Sequence, residues 1–113
     1  MAINKTCRAS LMGTLFLAAS PAVAQNIVAG QTISERLCAR CHAIELRQKS
    51  KHALAPTFPD IANRYSVWGL QEALAEGIIV GHVDMPKFVF SPTDINNLLA
   101  YMDTFTRKNG QSQ

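Results

Sequence analysis

Residues 25–113 read as a small all-α domain. Apolar residues recur at helical spacing at both ends, Ile33, Leu37 and Cys41 near the start and Ile95, Leu98, Leu99, Met102 and Phe105 near the finish. Capping signals stand at the right distances before two of the periodic stretches, Thr57 with Asp60 and Ser91 with Asp94. The one short apolar run without helical period, Gly77-Ile78-Ile79-Val80-Gly81, is too brief for a domain-building strand and reads as an extended approach to a site.

The chain opens with a segment that is not part of this domain. Met1 to Ala24 has a positive front in Lys5 and Arg8, an apolar stretch from Leu11 to Ala19, and a small-residue close, Pro21-Ala22-Val23-Ala24. That three-part order is the pattern of a secretory signal peptide with cleavage after Ala24, and the expected location is the periplasm. The stretch is too short to serve as a permanent membrane span, so no stable membrane anchor is expected. Cys7 precedes it and leaves with it. Without Lys5 and Arg8 the formal charge falls from +3 for all 113 residues to +1, which removes the electrostatic case for nucleic-acid binding. Eighty-nine residues remain, one domain of a size whose own core gives marginal stability.

The first helix runs from Gly30 toward Cys41. Gly30 either lets another helix approach closely or simply starts this one. It leads into Cys38-Ala39-Arg40-Cys41-His42. Cys-x-x-Cys-His is the attachment sequence for c-type haem. With both cysteines on the last turn of the helix, their sulfurs share one face and are placed to form thioethers to the two vinyl groups of a porphyrin. His42 then binds the iron from one side. A thioredoxin-like pair needs a βαβ setting, and half of a zinc site needs a second ligand pair that the chain lacks beyond its leader. Haem consumes both remaining cysteines, which suits an exported chain without a structural disulfide.

From Ala43 to Ala55 the pattern is irregular and basic, with Arg47, Lys49, Lys51 and His52, either a solvated face or part of a docking patch for an acidic partner. Pro56 is the candidate acceptor for the second ring nitrogen of His42, because a ligating histidine donates its other N–H to a fixed oxygen. Phe58, Ile61, Ala62 and Tyr65 then form a short amphipathic helix. A further segment from Ser66 buries Leu70, Ala73 and Leu74 and stops at Gly77. Trp68 reads as a packing residue whose N–H is within possible reach of a haem carboxylate.

The second chemical element is Met85, followed by Pro86 and 43 residues beyond His42. A thioether is soft and neutral and raises the reduction potential of an iron that also binds histidine. Pro86 stiffens the loop and holds Met85 extended. His82 is a rival that would give a bis-histidine centre. Met102 falls in helical phase and reads as core, and His52 is not favoured as a ligand. The final helix is capped by Ser91, has Pro92 in its first turn, and is expected to carry Arg107 and Lys108 in its last turn before Gly110.

Taken together, Gly30, Cys38-Ala39-Arg40-Cys41-His42, Pro56, Met85-Pro86 and Tyr101 make the chain resemble the class I cytochromes c. The resemblance implies a fold whose N- and C-terminal helices cross beside one covalently bound haem c. Cys38 and Cys41 would be the thioether donors, His42 the proximal ligand and Met85 the distal one. The implied function is transfer of single electrons between periplasmic or membrane redox proteins by a monomer that docks transiently. A haem c subunit of a dehydrogenase complex, a haem enzyme with a labile distal ligand, and a small thiol or metal module are the competing readings.

Overall fold

The computed structural model describes residues 24–77 and 84–107. The expected signal segment, apart from Ala24, lies outside them, as do His82, Lys108 and Gly110. The described residues form α1 (Ile27–Leu37), α2 (Phe58–Arg64), a 3-10 turn (Val67–Leu70), α3 (Gln71–Glu76) and α4 (Pro92–Asp103), with no strand among them. Among the described residues the fold is all-α, as the sequence implies.

Helices α1 and α4 make the main crossing. Asn26 caps α1 through its side-chain oxygen, which accepts from the Ala29 N–H at 3.0 Å, and its own N–H donates to Asn97 Oδ1 on α4 at 2.8 Å. The crossing is close because Gly30 has no side chain. A Cβ placed there would sit 2.0 Å from the Asn97 carbonyl oxygen and 2.9 Å from the Tyr101 Cβ. Of the two readings of Gly30, close approach is therefore the one the structure realises.

The buried face of α1 differs from the expected apolar stripe. Gly30 and Ser34 are buried, whereas Ile33 is half-buried at the edge of the core. Only small residues fit under α4, and Ser34 meets its own polar need by donating to the Gly30 carbonyl at 2.8 Å. The helix also stops sooner than expected. Cys38 is already its C-cap, and the N–H groups of Cys38 and Ala39 both reach the Ser34 carbonyl at 2.9 Å. The cysteines thus lie just past the helix, on a turn closed by Cys41 and His42 N–H groups donating to the Cys38 carbonyl at 3.1 and 2.9 Å.

Thr57 and Ser91 cap α2 and α4, each accepting at 3.1 Å from the N–H three residues on. Phe58, Ile61 and Ala62 are buried, but Tyr65 is not. It is the extended C-cap of α2, where the helical phase no longer holds its ring inward. Val67, on the 3-10 turn, fills the core in its place. Gly77 ends α3 in the left-handed region at φ 69°, as its position implied.

Helix α4 supplies Ile95, Leu98, Leu99, Tyr101 and Met102 to the core. It ends at Asp103, before Arg107. The Thr104 hydroxyl donates to the Tyr101 carbonyl at 2.6 Å, and the chain beyond tightens into three-residue turns.

Candidate cofactor site

The loop between the attachment turn and α2 is folded back on that turn. His52 N–H donates to the Cys41 carbonyl at 3.1 Å, Ala43 N–H to Ser50 Oγ at 3.0 Å, and Phe58 N–H to the Ala43 carbonyl at 2.9 Å. This closure brings Pro56 against His42. The Nδ1–H of His42 donates to the Pro56 carbonyl at 2.6 Å. A carbonyl only accepts, so Nδ1 carries the hydrogen, and in the neutral ring Nε2 keeps its lone pair. The imidazole is buried, with the Phe58 ring tilted against it at 5.9 Å between centroids. Phe58 in turn meets Tyr101 edge to face at 6.5 Å, which ties the His42 side to α4.

His42, Cys38, Pro56 and Met85 line one cavity of about 830 Å³, together with apolar side chains that include Leu98 and Met102. That size is within the range of small-molecule and cofactor sites. Cys41, half-buried on the same turn, is not among the described residues that line it. Met102 is both core, as its phase implied, and wall of the cavity. His52 also lines it, with its ring directed to Asp84 at 3.3 Å.

Burial pushes the Cys38 thiol up to about 11. A pocket that disfavours the thiolate disfavours thiol–disulfide exchange at Cys38, which requires the anion. The donor set instead fits a covalently tethered porphyrin: two free cysteines on one turn, a histidine with its tautomer fixed, and a neutral thioether at the same cavity.

The segment after Met85 is held by α3. Phe90 N–H donates to the Leu74 carbonyl at 3.1 Å, and Phe88 stacks on Phe90 at 5.5 Å. Gly77 permits this approach, since a Cβ there would lie 3.2 Å from the Phe88 carbonyl oxygen. The part played by Gly77 and Leu74 in seating this segment, and by Asp84 in meeting His52, had no signal in the spacing of the chain.

Two comparisons with known proteins bear on the family of the chain. The family model for cytochrome c matches residues 27–106. Cytochrome c-552 of Bradyrhizobium diazoefficiens is 31% identical over 83 residues, covering 74% of this chain and 78% of the relative. No solved structure matches the chain. With the Cys-x-x-Cys-His turn at the cavity and the family model spanning the domain, the chain belongs to the class I cytochrome c family, monohaem electron carriers whose haem c is covalently bound.

Proposed function

We propose that the chain is exported, loses residues 1–24, and works in the periplasm as a His/Met-ligated monohaem carrier of single electrons. The observation that carries this reading is the shared cavity of Cys38, His42 and Met85, which come from the attachment turn and from a loop 43 residues beyond His42. Cys38 and Cys41 would hold haem c through thioethers, and His42 and Met85 would be the ligands of its iron. Bound there, haem c supplies an iron that accepts and releases one electron. The Pro56 carbonyl keeps hydrogen on Nδ1 of His42 and so reserves Nε2 for ligation. Met85 would offer the iron a neutral sulfur, which would raise the potential and occupy the place a substrate would need. Phe58, Leu98 and Met102 supply apolar wall and exclude water.

With His42 and Met85 both committed to the iron, the carrier would exchange electrons with redox-partner proteins by brief docking, and such encounters use small interfaces. Arg40, Arg47, Lys49, Lys51 and Lys87 are all exposed and are candidate cations for orienting a partner. The carrier acts as a monomer and not as an enzyme.

The test is Met85→Ala. The variant keeps covalent haem, its potential falls by on the order of 0.1–0.3 V within the roughly 0.8 V range that axial ligands command, and its reduced form binds carbon monoxide readily. Redox titration and visible spectra report all three. A variant with the parent's potential and spectrum would show that Met85 is not the distal ligand.

A further inference from the structure

His52 is absorbed by neither the attachment motif nor the axial pair, yet its surroundings are built. Its backbone N–H donates to the Cys41 carbonyl at 3.1 Å, so the residue is rooted on the attachment turn. Its Nδ1 accepts from the Leu54 N–H at 3.2 Å, which fixes the ring and puts hydrogen on Nε2. Nε2 then faces Asp84 Oδ2 at 3.3 Å, with its positive end toward the carboxylate. Asp84 is the residue immediately before Met85, and Pro86 follows, so the backbone at Met85 and Pro86 has little freedom. Downstream, the same segment is held by Phe90 on Leu74.

We infer that His52 is a positioning residue for Met85: with Asp84 it forms a clasp that ties the attachment loop to the methionine loop and keeps the thioether at the cavity. The inference rests on the reading of Met85 as distal ligand. The segment carrying Met85 is then fastened at two points, to α3 after the methionine and to the His52 loop before it. Loss of the first fastening would move α3 as well. Loss of the clasp frees only the entry to Met85, and the side chain leaves the iron more often. The pair is partly exposed, 36% for His52 and 53% for Asp84, so its effect is modest.

The experiment follows displacement of methionine by imidazole in the ferric holoprotein, read from loss of the far-red methionine–iron band. His52→Ala and Asp84→Ala each accelerate displacement about two- to fivefold, the range that a partly exposed charge contact supports. The double variant is no faster than the faster single variant, because one contact is removed in all three. If His52→Ala does not accumulate, His52→Leu takes its place in the cycle. Parental rates in the single variants, or a double-variant rate equal to the product of the two single effects, would overturn the clasp. The parallel Met85→Ala sample separates the two ideas. If it retains the parent's far-red band, the ligand assignment falls and the clasp falls with it. If the band is lost while the His52 and Asp84 variants behave as parent, the clasp alone falls.

Discussion

Tyr101 touches three parts of the molecule at once. Its Cβ lies under Gly30 of α1, its ring meets Phe58 and Phe105 edge to face, and its hydroxyl donates to the Ile44 carbonyl at 2.9 Å, just beyond the attachment turn. Both Tyr101 and Ile44 are buried, so Tyr101→Phe leaves that carbonyl without its donor in a dry setting. The expected cost is about 1–2 kcal/mol, measurable by guanidinium unfolding of the holoprotein. The hydroxyl also links stability to pH. Burial, then the charges of Glu45 and Glu35, raise its pKa above the ordinary phenol value. A raised folded pKa means that the native state binds more protons than the unfolded chain once pH passes about 10. This contribution is whole below that pH and disappears as pH climbs through the folded value. Tyr101→Phe therefore loses less stability than the parent on going from about pH 9 to about pH 11. An equal loss in the two proteins would assign the alkaline decline to other groups.

At the scale of elements, what the sequence makes legible is what lies close along the chain. Ser91, Pro92 and Asp94 mark the start of α4 because a cap acts over three residues, and Gly77 marks the end of α3 because the left-handed turn is its own requirement. The end of α4 is not legible in that way. Cations at Arg107 and Lys108 suit a last turn, but the helix closes at Asp103, and the next residues are met by Asn63, more than forty positions earlier. Its amide donates to the Phe105 carbonyl at 3.1 Å and its oxygen accepts from the Arg107 N–H at 3.1 Å. No periodicity records a contact of that range. The buried face of α1 escapes notice for a different reason: Gly30 and Ser34 are small rather than apolar, and fit under α4 by size. Asn63→Ala removes both bonds at the α4 end. Because the site is exposed, the expected loss of stability is about 0.5–1.5 kcal/mol. Hydrogen exchange locates it, with protection falling at Arg107 while the α1 amides keep theirs; a uniform fall along the chain would contradict a local clamp.

For the molecule as a whole, each piece of the site was legible alone, and their meeting was not. The attachment motif is five consecutive residues, Met85-Pro86 is a pair, and Pro56 is a turn proline. That Cys38, His42, Pro56 and Met85 line one cavity with Leu98 and Met102 depends on the α1–α4 crossing and on the way α3 seats residues 86–90, which only the folded chain specifies. The same architecture leaves little to hold it without haem c. Helix α2 has seven residues and α3 has six, lengths at which an isolated helix is unstable in water. Their inner side chains, Phe58, Ile61 and Leu74, line the cavity of about 830 Å³ as well as the core. Haem c held in that cavity would thus be part of the core of a domain that is marginal by size. Cys38→Ala with Cys41→Ala is expected to abolish covalent attachment and to take most of the folded population with it. Acid-solvent extraction after denaturation reads the first effect and far-UV circular dichroism the second. A double variant with parental helix content and an unchanged unfolding midpoint would place the stability of the domain in the polypeptide alone. Loss of helix content together with loss of colour would place it in the joint packing of α2, α3 and α4 on the cofactor.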